Sequence, residues 1–333
     1  MKIRVGTFNL FQFVEPPFCW YTKKEKFNNE EWIEKTTWIK KQICEMNCDI
    51  IGFQEVFSKD SLKNLLFELG FEYFETIDSC KIDKKNEKIY TSTIVALASK
   101  FPINNLKKIN VDISSLKKHY VDGFFKFARE PIKATITLPN QKNLDIYVCH
   151  LKSNRENEFE YIFTKDSTLS EKKEKVKKAL EENYSQSLKQ RLCEASSLFK
   201  DISRTKNPAI LMTDLNDKEF SLTIEALTNK KYHNESLKKD DYLLLDAYYY
   251  FKKEIYNPHP EQKEIKRTPT SYFAGKGNVL DYIFVSKLFD KNKKNHIGKI
   301  TSYEVFNKHL EKNHDGSLLT SDHAQVVCEL EFN

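Results

Sequence analysis

Nowhere does the chain approach the eighteen or so uninterrupted apolar residues that a bilayer-spanning helix needs, which excludes an integral helical membrane protein. Cysteine is sparse and odd in number: seven residues without a Cys-x-x-Cys pair, which argues against both a disulfide framework and a structural zinc site. A reducing, cytoplasmic setting is expected, although export without a cleaved signal would leave the same composition. The opening "MKIRVGTFNLFQFVEPPF" lacks a signal-peptide core, because Arg4, Asn9 and Gln12 interrupt it and no small-residue cleavage site follows; it reads as a first strand. No Gly/Pro/Ser-rich linker and no internal repeat is present, so a single domain over 1–333 is expected, with a helical insertion around 155–200. No basic arm is present either. The formal charge of +6 is spread along the chain, which permits contact with phosphates without demonstrating it.

What is present suits a globular protein with a large core: 333 residues, 40% hydrophobic and 31% charged. Short β-rich runs recur, among them "KIRVGTFNLF", "CDIIGFQEVF", "LDIYVCHL", "PAILMTDLN", "NVLDYIFVS" and "AQVVCELEF". Amphipathic segments such as "EEWIEKTTWIKKQICEM" and "SKDSLKNLLFEL" lie between them, and the alternation predicts an α/β protein with sheets covered by helices. Cys44 and Cys48, one helical turn apart, are expected on one helix face. "HLKSNRENEFEYIFTKDSTLSEKK" reads as a loop entering a long helix, whose interleaved Lys and Glu predict a solvated face. "DAYYYFKKE" reads as a strand.

Several strands end in polar residues that a core does not ask for. Asn9 follows "RVGTF", Gln54 and Glu55 follow "IIGF", His150 follows "DIYVC", Asp214 and Asn216 follow "PAILMT", Asp281 follows "NVL", and Asp322 and His323 precede the last strand. Singly each has an ordinary reading: Asn9 as a turn cap, Asp214-Leu215-Asn216 as an Asx turn, Asp281 paired with Lys276. Jointly, neighbouring strand ends can gather them into one cleft. Oxygen donors from Asn9, Glu55 and Asp322 suit a hard cation such as Mg²⁺, which keeps waters and contacts a substrate phosphate.

The segments "TFNLF", "IIGFQEVF", "AREPIKATI", "IYVCHLKS", "LMTDLND", "LDYIFVS" and "TSDHAQV" resemble, in order, those of the endonuclease/exonuclease/phosphatase superfamily, the DNase I-like fold. The resemblance implies an α/β (α+β) four-layer sandwich of two mixed β-sheets packed face to face with helices outside, and a metal-dependent phosphoesterase cleft. It implies Glu55 as the main ligand to Mg²⁺ (or Mn²⁺), with Asn9 and Asp322 beside it. Asp214 would orient or deprotonate the attacking water, and Asn216 would hold a phosphate oxygen. His323, buttressed by Asp281, and His150 would face the phosphate from two sides.

The substrate is not chosen by the superfamily, whose site cleaves nucleic acids, inositol phosphates and sphingomyelin alike. "AREPIKATI" and "HLKSNR" resemble nuclease members and make Arg129, Lys152 and Arg155 candidate phosphate contacts, a salt bridge being the equal reading of Arg129, while Tyr272 reads first as a core side chain and second as a ring to stack on a base. A monomeric nuclease acting on nucleic acid, DNA favoured, is the expectation. A sphingomyelinase-like or inositol-phosphate hydrolase is the alternative. Leu280-Asp281-Tyr282 stands where an inositol 5-phosphatase has Cys-Asp-Arg, and the chain also departs from the apurinic endonucleases, whose active-site tyrosine has no match beyond the guess Tyr120, which weighs against a DNA-repair specificity. A catalytically silent scaffold would show decay at a metal or catalytic position, whereas Asn9, Glu55, His150, Asp214, Asn216, Asp281, Asp322 and His323 all match.

Overall fold

Side chains along the strand Asn143–His150 alternate between two kinds of neighbour, and this alternation generates the architecture. Leu144, Ile146 and Val148 join one buried cluster, while Tyr147 and Cys149 join another. The computed structural model describes residues 1–154, 161–234, 241–251, 267–273, 275–310 and 319–333. Along them run strands β1 (Lys2–Phe13), β2 (Cys19–Trp20), β3 (Ile50–Val56), β4 (Tyr73–Glu75), β5 (Ile82–Asp83), β6 (Asn86–Tyr90), β7 (Ile94–Ser99), β8 (Ile103–Lys107), β9 (Ile132–Thr137) and β10 (Asn143–His150). Strands β11 (Ala209–Asp214), β12 (Leu244–Asp246), β13 (Ser271–Phe273), β14 (Lys276–Asn278), β15 (Asp281–Ser286), β16 (Gly298–Phe306) and β17 (Gln325–Phe332) follow. The helices are α1 (Asn29–Met46), α2 (Lys59–Glu68), α3 (Ile113–Lys118), α4 (Leu169–Glu181), α5 (Gln186–Ile202), α6 (Leu222–Thr228) and α7 (Ala247–Phe251).

Two mixed six-stranded sheets result, ordered β16-β17-β1-β3-β7-β4 and β12-β15-β11-β10-β9-β8. Their inner faces interdigitate through Ile3, Val5, Ile50, Leu97, Ile146, Val148, Met212, Ile283 and Val326. Helices α1 and α2 cover the outer face of the first sheet through Ile39, Ile43, Met46, Leu62 and Leu66. Helices α4, α5 and α6 cover the second through Val176, Leu188, Leu192, Leu198 and Ala226. This is the four-layer sandwich with helices outside. The sheets pack tightly at Gly52, where an added Cβ would meet Met212 Cβ at 2.9 Å and Val148 at 3.0 Å.

Four local expectations are corrected. Cys44 is exposed, and buried Cys48 lies beyond α1, which stops at Asn47 in a left-handed conformation (φ 46°), so the two cysteines share no helix face. "DAYYY" enters helix α7 instead of a strand. The long charged helix is two helices, broken between Glu181 and Gln186. Its second half is not a solvated face: α5 buries thirteen of its seventeen residues and is a layer of the sandwich.

Candidate active site

Strand order and register build one row of polar groups. Strand β11 lies between β10 and β15, with His150 opposite Asp214 on one side and Asp281 opposite Asp214 on the other. All three continue the inward-facing residues at a period of two, His150 after Ile146 and Val148, Asp214 after Ile210 and Met212, and Asp281 before Ile283 and Val285, so they point between the sheets at one end of their strands. Asn9 reaches the row from the other sheet, continuing the face of Ile3 and Val5 on β1, and its Nδ2 donates to Asp214 Oδ2 at 3.1 Å. The ordinary readings hold together with this one. Asn9 Oδ1 accepts from Phe11 N–H at 3.0 Å and Asp214 Oδ1 from Asn216 N–H at 2.8 Å, both Asx turns.

The residues before β17 close the row. Ser321 Oγ donates to the Asn9 carbonyl at 2.6 Å and accepts from His323 N–H at 3.0 Å. His323 Nδ1 lies 2.8 Å from Asp281 Oδ2, and its Nε2 lies 3.9 Å from both Asp214 Oδ2 and Asp322 Oδ1. Asp281 therefore pairs with His323 and not with Lys276. Burial alone would strip the proton from His323, but the carboxylates of Asp281, Asp214 and Asp322 outweigh it and hold the imidazole well above its ordinary pKa. His150, equally buried, goes the other way: burial and the charges of Arg129, His323 and Lys152 press it well below the ordinary value. Its Nε2 is 3.4 Å from Asp214 Oδ2. Burial, reinforced by Asp281, pushes Asp214 up to about 7 against the pull of His323.

Glu55 departs from the alternation. A left-handed φ of 59° turns it at the end of β3, where Oε2 accepts from Gln12 N–H at 3.1 Å. Phe11 and Gln12 (φ 48° and 58°) and Asn216 (φ 51°) share this conformation, so backbone strain collects at the site. Burial and then the charge of Asp322 raise the pKa of Glu55, the sign of two carboxylates facing one another. Behind them stands Lys35 of α1, fully buried, whose Nζ lies 3.5 Å from the Thr320 carbonyl and 5.2 Å from the Phe27 ring centroid. Burial brings it down to about 7, opposed by Asp322 and Glu55. The sequence reading missed Lys35. The signal was its place on the buried stripe of α1, in step with Ile39, Ile43 and Met46.

Among the described residues, the His, Cys, Asp and Glu ligand atoms that gather in a group of three within 4.8 Å belong to Asp214, Asp281 and His323. His323 is engaged through Nδ1 by Asp281, and the all-oxygen set of Glu55, Asp322 and Asn9 better matches the oxygen preference of a hard divalent cation.

Arg129 and Asn216 converge on one carbonyl: Arg129 Nη1 and Asn216 Nδ2 donate to Leu151 O at 3.1 and 3.2 Å. Lys152 follows directly. Arg155 lies outside the described residues. Tyr120 is tied to α4, its hydroxyl donating to Glu181 at 2.9 Å, and is not brought to the row. Tyr272 stands exposed on β13, next to Ser271, which bridges to His323.

The family model described as "Endonuclease/Exonuclease/phosphatase family" matches residues 29–323. No curated protein matches the chain by sequence. Among solved structures, the human Nocturnin catalytic domain with bound sulfate is similar at 17% identity and TM-score 0.60, covering 100% of this chain and 94% of that one. An endonuclease/exonuclease/phosphatase from Bacteroides vulgatus is similar at 16% identity and TM-score 0.54, covering all of both chains. D. rerio TDP2 complexed with a single-strand DNA product gives 10% identity, TM-score 0.55 and 99% coverage of each. At such identities these likenesses speak for the fold. The family match over nearly the whole length does more, and the chain belongs to the endonuclease/exonuclease/phosphatase family.

Proposed function

We propose that the chain is a metal-dependent phosphodiesterase that hydrolyses nucleic acid, with DNA the favoured substrate. The observation that carries this reading is the central Asp214, whose Oδ2 lies 3.4 Å from His150 Nε2 on one side and 3.9 Å from His323 Nε2 on the other, with Asp281 Oδ2 2.8 Å from His323 Nδ1. Asp214, raised toward neutrality, accepts the proton of the attacking water as the new P–O bond forms. His323 Nε2–H, fixed by Asp281 at Nδ1, donates to the leaving oxygen as the old P–O bond breaks. Arg129 forms no ion pair with a described residue, leaving donors of its guanidinium for a phosphate oxygen, and Asn216 offers its second amide hydrogen to the same group. Glu55, Asp322 and Asn9 would hold the cation, Mg²⁺ by donor type with Mn²⁺ an acceptable substitute. When bound, it would neutralise charge that builds on the phosphate oxygens.

Nucleic acid is preferred over a lipid because Arg129 and Lys152 flank the row and an exposed aromatic, Tyr272, stands beside it. Only a fold-level analogy is added by the TDP2 structure, which carries single-strand DNA. Nicking of supercoiled plasmid with Mg²⁺, abolished by EDTA and by Asp214→Ala, is the expected outcome. Release of phosphate or phosphocholine from a lipid or inositol panel by a preparation that leaves plasmid intact would move the substrate to the alternative. Inactivity on every ester would sink the enzymatic reading. We further infer one domain acting as a monomer in the cytoplasm. Among the described residues no helix is long and apolar enough to cross a membrane.

A further inference from the structure

Helix α5 turns charge inward. Arg191 and Glu194, nearly one helical turn apart, are 3% and 1% exposed, although packing on the sheet asks only for neighbours such as Leu188, Leu192 and Leu198. Burying a carboxylate and a guanidinium is unfavourable unless each is fully engaged, so their partners identify their task. Glu194 Oε1 accepts from Ala128 N–H at 2.7 Å and from Gln190 Nε2 at 2.9 Å, and Oε2 accepts from Lys152 N–H at 2.9 Å. Arg191 Nη1 donates to the Lys152 carbonyl at 3.0 Å, and Nε donates to Asp217 Oδ2 at 3.3 Å. One helix thus grips both main-chain polar groups of Lys152, the residue before Arg129 and the residue after Asn216. Between these grips lies Leu151, whose carbonyl takes the Arg129 and Asn216 side chains and whose N–H donates to the Asp214 carbonyl at 3.1 Å.

We propose that Arg191 and Glu194 are positioning residues of the candidate site: through the Leu151–Lys152 strap they set the orientation of Arg129 and Asn216. The proposal rests on the function given above. Its test is a double-mutant cycle in the full chain, Glu194→Gln with Arg129→Ala, read by kcat and KM on one DNA substrate, with amide hydrogen exchange measured alongside. The glutamine keeps the shape and one acceptor but presents an NH₂ to one of the two N–H groups. Glu194→Gln is expected to lower kcat about 10–100-fold with KM little changed, the scale seen for outer-shell partners. Most of that loss should vanish in the Arg129→Ala background, and the amides of Ala128 and Lys152 should exchange faster while those of β10 and β11 stay protected. Additive losses with unchanged exchange at 128 and 152 would overturn the proposal, as would a uniform loss of protection. If Glu194→Gln does not fold, Arg191→Lys with Asn216→Ala replaces it in the same cycle. Should the wild-type protein cleave no phosphodiester, the proposed function falls, and exchange at 128 and 152 alone decides whether α5 holds the strap.

Discussion

Asp281 carries two burdens at once: one oxygen holds His323, and the other, Oδ1, is buried without a hydrogen-bond partner among the described residues. Truncating His323 would orphan the whole carboxylate, so the cleaner substitution is Asp281→Asn, which keeps the shape and removes the charge that keeps the imidazole protonated. Turnover on plasmid DNA should drop by about 10²–10⁴, the range for losing positioned acid–base function, with the urea midpoint unchanged or raised; turnover within a few-fold of wild type would remove His323 from the mechanism. Phosphate contacts have their own signature. In a cleavage-dead Asp214→Asn background, Arg129→Ala and Lys152→Ala should each weaken oligonucleotide binding and each flatten the slope of log affinity against log salt by about one. A slope that ignores both substitutions would take these cations off the phosphates. Asn9, His150, Asp214 and Asp281 were legible at this scale because each extends a strict period of two. Glu55 was legible as a polar strand end and by resemblance, but not by the period, which its left-handed backbone breaks. Lys35 was marked only by its step with the apolar stripe of α1, and Arg191 and Glu194 were missed because the interleaved Lys and Glu of their segment read as a solvated face.

Strands gave themselves away through apolar alternation bounded by polar ends; helices gave themselves away through stripes, and where both signals mixed the reading failed. "DAYYYF" has the aromatics of a strand, yet after β12 it coils into α7, where Asp246 caps the turn by accepting from Tyr248 N–H at 3.0 Å. That same Asp246 anchors an element-level network. Arg267, also buried, donates from Nη1 to Asp246 Oδ2 at 2.5 Å and from Nη2 to the Tyr303 hydroxyl at 2.5 Å, so β12, β16 and the entry to β13 meet on one guanidinium. Arg267→Met leaves Asp246 buried and unpaired and should lower stability by about 3–5 kcal/mol, measured by urea unfolding; a loss under about 1 kcal/mol would mean the pair is replaceable by packing. Between the sheets the sensitive position is Gly52. Gly52→Ala pushes a methyl against Met212 Cβ and Val148, and a loss of about 1–3 kcal/mol is expected at the urea midpoint, with Asp214 turnover reduced because β3 and β11 carry the two halves of the cleft.

At the scale of the molecule, stability should depend on acidity through a histidine away from the cleft. His119 is buried against Tyr232, its Nε2 2.6 Å from the hydroxyl, and burial together with the charge of Lys118 brings its pKa down to about 3. The unfolded chain takes that proton near pH 6.5 and the folded chain does not, so the contribution is complete above pH 6.5 and lost as pH falls toward 3. By pH 5 it should amount to about 2 kcal/mol, read as the narrowing of the stability gap between wild type and His119→Gln from pH 7 to pH 5; an unchanged gap would refute it. Sheets covered by helices could be expected from the order of elements and the four layers from the family resemblance, whereas the face-to-face pairing of Asn9 with Asp214 depends on which strands end up opposed, which no local pattern encodes. The order of strands has one more consequence. Every strand of the second sheet falls between Ile103 and Ser286, while the first sheet is assembled from β1, β3, β4 and β7 on one side of that block and β16 and β17 on the other. A nascent chain can therefore finish the middle sheet early, yet it holds no complete row of acids and histidines until His323 and β17 have been translated and have found β1. On the proposed function the nascent chain is inert until that strand is in place, and every product of premature termination upstream of it is expected to stay so.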